Sequence, residues 1–169
     1  ATGQGLNGAV RIAANGQMMF SGTLSGPLIT TTTNTAIYAG TPGNFQLIAR
    51  RGDPAVGTAG AVYNSSFSGL SQQNSGINAN GEVLCLSTLL GGDVVGTTND
   101  VALFTGTTAG LTMVARKGDL GPTGVTLSNV LGNFISQMNL NGQIVFDVNY
   151  ALGSGSPATT ATEDRAMWI

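Results

Sequence analysis

The feature that most constrains this chain is internal repetition. The segments "IAANGQMMF" (Ile12 to Phe20), "INANGEVLC" (Ile77 to Cys85) and "MNLNGQIVF" (Met138 to Phe146) align without a gap. Each passes from an apolar residue through Asn-Gly to a Gln or Glu and then an apolar run. The pairs Asn15-Gly16, Asn80-Gly81 and Asn141-Gly142 lie 65 and 61 residues apart. A second element follows each of them: "TAIYAG" (35–40), "VALFTG" (101–106) and "RAMWI" (165–169). A third occurs twice, as "FQLIARRGD" (45–53) and "LTMVARKGD" (111–119). A repeat of this kind is one supersecondary unit, which buries its apolar face only by packing on its neighbours. The spacing predicts a single domain over residues 1–169, with units at about 1–58, 59–124 and 125–169.

Every element reads as a β-strand. Asn-Gly readily supplies the two positive-φ positions of a type I′ hairpin turn. Beyond it the apolar residues alternate, with Ile144, Phe146, Val148 and Tyr150 on one face. Overlaying the copies puts Phe20, Cys85 and Phe146 in one inward column, so Cys85 reads as a small buried hydrophobe. Phe45, Leu47 and Ala49 are expected to alternate inward, as are Leu111, Met113 and Ala115. Tyr38, Phe104 and Trp168 share one repeat position, which favours packing over ligand contact. No window sustains helical periodicity. The expected class is all-β: three tandem units of about four antiparallel strands, in a propeller-like or β-solenoid-like array. The stretches "SGPLITTTTNT", "LLGGDVVGTTND" and "ALGSGSPATTATED" fill the same slot in each unit and read as long polar loops.

Arg51-Gly52-Asp53 spells a tripeptide that adhesion receptors recognise, but its twin has Lys117-Gly118-Asp119. The slot therefore asks for a basic residue, then Gly-Asp. The structural expectation is that the basic pair marks the strand's exit to solvent. Gly52 and Gly118 then take a positive φ, while Asp53 and Asp119 cap backbone N–H groups or pair with the adjoining cation.

These motifs resemble a tandem-repeat family named for the pattern Asn-x-x-Gly-x-x-Ala-Phe, found in secreted or surface-anchored bacterial proteins. "INANGEVLC" and "MNLNGQIVF" carry the resemblance, with Asn78 or Asn139 as the first Asn and Gly81 or Gly142 as the Gly. "IARRGDPAVG" and "VARKGDLGPTG" match the strand and turn that commonly follow in that family. The first unit departs with Ala13 in place of the first Asn, and the second with Cys85 in place of Phe. The resemblance covers nearly the whole chain. It implies a propeller-type or related repeat architecture and an extracellular or cell-surface address, and it implies no reaction.

The third unit is incomplete, because no Ala-Arg-basic-Gly-Asp strand follows "RAMWI". Open arrays expose apolar faces and strand edges. Three completions are open: a longer array of which this is a fragment, closure by the N-terminal segment, or a second copy added to a ring or filament by strand addition. Met167, Trp168 and Ile169 mark the expected assembly end.

Composition argues against chemistry. Charged residues are 8% of the chain against about 25% in ordinary soluble domains, and the net charge is −2. Neither nucleic acid binding nor membrane insertion is expected from six basic residues and apolar runs this short. No His is present to act as base or ligand. Most of the acids recur in equivalent slots, as Asp53 with Asp119 and Asp100 with Asp164, which a structural need shared by the repeats explains better than a single active site. No catalytic, cofactor-binding or metal-binding residue is assigned. Asp93, Asp100, Glu163 and Asp164 read as loop caps. The expected function is that of a non-enzymatic extracellular structural protein, whose partner is itself, in a homo-oligomer or filament. The alternative is a cell-surface module of propeller type that binds a glycan or a protein.

Overall fold

The computed structural model describes residues 4–6, 10–64, 76–121, 124–130, 136–155, 160 and 165–169, among which no α-helix occurs. Among these residues fourteen strands form three antiparallel sheets, one after another along the chain. In sheet 1, β1 (Gln4–Leu6) and β2 (Arg11–Ile12) share one edge of β3 (Met18–Leu24). They take successive stretches of that edge: β1 lies opposite Gly22–Leu24, and β2 opposite Met18–Met19. Beyond β3 come β4 (Thr35–Thr41) and β5 (Asn44–Arg50), in meander order.

Sheet 2 repeats this plan with β6 (Val62–Tyr63) and β7 (Gly76–Ile77) on β8 (Val83–Leu90), followed by β9 (Val101–Thr107) and β10 (Gly110–Arg116). Sheet 3 pairs β11 (Leu127–Val130) and β12 (Ser136–Met138) with one edge of β13 (Ile144–Tyr150), and β14 (Arg165–Trp168) with the other. Among the described residues no strand follows β14, so this sheet has four strands where the others have five. The register repeats as well: Phe20 stands opposite Tyr38, Cys85 opposite Phe104, and Phe146 opposite Trp168.

The three sheets pack face to face around two cores. Between sheets 1 and 2 lie Met19, Ile37, Ala39 and Ala49 on one side, with Val83, Cys85, Leu89 and Phe104 on the other. Between sheets 2 and 3 lie Leu84, Leu103 and Ala115, facing Phe146 and Val148. Sheet 2 is thus covered on both faces, which is why Val83, Leu84 and Cys85 are buried in succession along β8. A strand buried on one face only would alternate.

Two expectations fail here, for one reason each. The column Phe20, Cys85, Phe146 is inward only for the last two. It faces the preceding sheet, and among the described residues no sheet packs on that face of sheet 1, so Phe20 is only half-buried. The alternation over 45–49 and 111–115 breaks at a bulge. Ile37 pairs with Ala49 but Tyr38 with Leu47, skipping Ile48, and sheet 2 skips Val114 in the same way. The extra residue sends Ala49 and Ala115 to the opposite face from Leu47 and Met113.

Candidate functional site

At one end of each sheet stands the Asn-Gly turn. Its bonds differ from the expected type I′ pattern: Gly16 N donates to Ala13 O at 2.9 Å, and Ala13 N to Gln17 O at 2.8 Å. The same pair joins Gly81 to Asn78 and Asn78 to Glu82, and again Gly142 to Asn139 and Asn139 to Gln143. Asn15, Asn80 and Asn141 therefore occupy the third turn position. The following glycine, at φ 82°, 79° and 75°, forms a bulge in the left-handed region. The first Asn of the motif caps this turn. Asn78 Oδ1 accepts from the N–H groups of Asn80 and Glu82, both at 3.0 Å, and Asn139 does likewise for Asn141 and Gln143. Where the first unit has Ala13, Asn15 Oδ1 instead accepts from Gln17 N at 3.1 Å.

The turns also bond to one another. Asn15 Nδ2 donates to Ala79 O at 2.6 Å, and Asn80 Nδ2 to Leu140 O at 2.8 Å, equivalent bonds one unit apart. Gln17 lies over Gly81, and Glu82 over Gly142: a Cβ built on either glycine would meet those side chains at 2.7 and 3.0 Å. Glycine is thus required twice, for its φ and for the neighbouring unit's amide or carboxylate. The recurring Gln or Glu two residues after each Asn was the signal for this role, which the sequence pattern alone left unassigned.

At the opposite end the Gly-Asp turns staple one sheet to the next. Gly52 N donates to Tyr63 O at 2.8 Å, and Tyr63 N to Asp53 O at 3.0 Å, so the turn after sheet 1 holds the first strand of sheet 2. Gly118, Asp119 and Leu127 repeat these bonds between sheets 2 and 3. Both glycines take φ 88°. The Asp53 carboxylate accepts from Arg50 at 2.8 Å, a local ion pair. The second copy is different. Asp119 caps Arg116 N at 2.8 Å, while the Arg116 side chain reaches Asp93 at 2.7 Å. Arg116 is buried rather than at an exit to solvent, because Asp93 and the Asn99 carbonyl satisfy its guanidinium inside the loop. That guanidinium holds the Asp93 carboxyl below the usual carboxylate range.

Burial pushes the Cys85 thiol up to about 12. Asp100 pairs with Lys117 at 3.4 Å, and Glu163 and Asp164 lie outside the described residues. Among the described residues no three ligating side chains gather for a metal. A cleft of about 580 Å³ opens beside Lys117, Gly118 and Thr126, where the nearby cations are already tied to Asp93 and Asp100.

The two end faces are the most distinctive surfaces. On the outer face of sheet 1, Phe20 stacks on Tyr38 at 5.6 Å and meets Phe45 edge-on at 4.9 Å. Tyr38 is half-buried, against 0% exposure for Phe104, its counterpart in sheet 2, and Phe45 and Leu47 beside it are exposed. The shared position of Tyr38 and Phe104 is therefore a core position only where another sheet covers it. On sheet 3, Met167 and Ile169 are exposed. Trp168 is placed by its backbone in β14, and its side chain lies outside the described residues.

A family model described as a family of unknown function (DUF7453) matches residues 5–169. No curated protein and no solved structure matches the chain. Nothing in these comparisons links it to the Asn-x-x-Gly-x-x-Ala-Phe repeats.

Proposed function

The chain belongs to DUF7453, a family of unknown function, and we propose that it is a non-enzymatic structural protein that assembles with copies of itself outside the cell. One observation carries this reading. The positions of Cys85 and Phe104, fully buried between sheets 1 and 2, recur as half-buried Phe20 and Tyr38 on the outer face of sheet 1, beside exposed Phe45 and Leu47. Contiguous exposed aromatic and aliphatic surface of this kind marks an interaction site. A repeat array ends stably only when such a face is capped or covered.

The finer architecture follows from the same reading. Sheets of one plan, stacked face to face through equivalent bonds, form a propeller-like or solenoid-like array that further sheets extend. Whether it closes depends on the rotation from one sheet to the next: a rotation that closes gives a ring, and any other gives a filament. An extracellular placement is supported by a surface whose polarity comes from amides and hydroxyls, with only 8% charged residues. Low charge also leaves little repulsion between copies. Negative-stain images of the purified protein test the reading, with rings or filaments expected and isolated 169-residue particles contradicting it.

A further inference from the structure

We infer that the assembly grows head to tail, the outer face of sheet 3 in one copy seating on the outer face of sheet 1 in the next. This rests on the self-assembly reading above and adds to it the two surfaces, their direction and the bonds between them.

Both junctions inside the chain use the same three parts. The first is a pair of sheet faces: Met19 and Ile37 pack toward Cys85 and Phe104, and one unit later Leu84 and Leu103 pack toward Phe146. The second is the amide of Asn15 or Asn80, given to the next unit's turn carbonyl, Ala79 or Leu140. The third is a Gln or Glu laid over the next unit's turn glycine.

The ends of the stack hold the unmatched halves of all three. Val145 and Met167 take the positions of Leu84 and Leu103, and Met167 is 60% exposed. Phe20 and Tyr38 take those of Cys85 and Phe104. Asn141, the equivalent of Asn80, is exposed, and its side-chain amide has no partner among the described residues. The carbonyl of Ala14, the equivalent of Ala79 and Leu140, accepts no bond among them either. A Cβ on Gly16 would meet nothing within 4 Å, where Gly81 and Gly142 are overlain by Gln17 and Glu82. Gln143 ends that series on sheet 3, exposed and, among the described residues, bonded only within its own turn.

Donors lie at one end and acceptors at the other, so the contact is heterologous. Two sheet 1 faces brought together would offer two turn carbonyls and no free asparagine amide, since Asn15 is already given to Ala79. Asp147 brings one carboxylate to the sheet 3 face, at the position of Leu86, and it already interacts with a group of its own chain. The seated pair places Asn141 against Ala14 and Gln143 over Gly16 of the following copy.

Complementary capping tests this. The double variant Tyr38→Asp/Phe45→Asp spoils the sheet 1 face, and Val145→Asp/Met167→Asp spoils the sheet 3 face. Each is expected to be monomeric where the unaltered protein assembles. An equimolar mixture is expected to give a one-to-one dimer of twice the 17.0 kDa chain mass. If either variant alone assembles as the unaltered protein does, the pairing is wrong while self-assembly stands, with the free edge of β14 as the other route. If the unaltered protein never assembles, both readings fall together. Cross-linking covers the case in which a charged face prevents folding. Ala14→Cys and Asn141→Cys, made separately and mixed under oxidation, are expected to yield a 14–141 disulfide between chains. Only 14–14 and 141–141 products, or none in an assembled sample, overturn the proposal.

Discussion

Asn80 gives its side-chain amide to the carbonyl of Leu140 at 2.8 Å, and this bond ties the second Asn-Gly turn to the third. Exposed bonds of this type contribute about 0.5–1 kcal/mol each. Asn80→Ala is therefore expected to lower the stability of dilute, monomeric protein by about that much. Asn141→Ala, at the unpartnered end, is expected to leave it unchanged. Urea denaturation of both variants checks the contrast, and equal losses would remove the turn ladder from the account.

Gly52 sits at φ 88°, and a Cβ there would lie 3.2 Å from the Thr32 carbonyl oxygen. Gly52→Ala is expected to cost about 1–2 kcal/mol from the left-handed backbone alone. Asp53→Ala removes a half-exposed pair with Arg50 and is expected to cost less, under about 1 kcal/mol. Thermal melts compare the two, and unchanged melting in both would mean that the Arg-Gly-Asp turn does not hold sheet 1 to sheet 2.

Asp93 is held below its ordinary pKa by the Arg116 guanidinium. A carboxylate depressed in the folded state stabilises it above the unfolded value of about 3.9 and loses that contribution as pH falls through the folded value. Asp93→Asn should therefore melt lower than the unaltered protein at pH 6, with the gap closing below about pH 4. A gap that stays constant to pH 2 would show that the ionised pair is not its source.

Cys85 is fully buried, and its thiol is pushed up to about 12. Thiol reagents at pH 8 should label it only as fast as the protein opens, and promptly in denaturant. The unfolded thiol ionises near 8.5, so its neutral burial stabilises the fold below that pH and stops doing so as pH rises toward 12. Cys85→Ala is expected to lack this alkaline loss, although its cavity costs about 1 kcal/mol at neutral pH. Rapid labelling of the native protein would place the thiol at a surface instead.

The unit plan was legible because it depends on local pattern. Asn-Gly, the Ala-apolar-aromatic strand and the Gly-Asp turn all fall where the sequence pattern put them. What was illegible depends on neighbours. Nothing in Phe20 itself distinguishes it from Phe146, since the difference is a sheet that packs on one and not the other. The bulges at Ile48 and Val114 defeat a simple period of two, because one unpaired residue reverses every side chain beyond it. The pairing of Arg116 with Asp93 spans 23 residues and two loops, where composition offers no clue. The turn ladder was half visible, since the Gln and Glu recur, but their partners lie a full unit away.

Self-assembly is tested most directly by the mass of the unaltered protein in solution. Sedimentation equilibrium over a wide range of concentration is expected to show mass rising from 17.0 kDa toward multiples of it as uncovered sheet faces meet. A fixed 17.0 kDa at every concentration would contradict it.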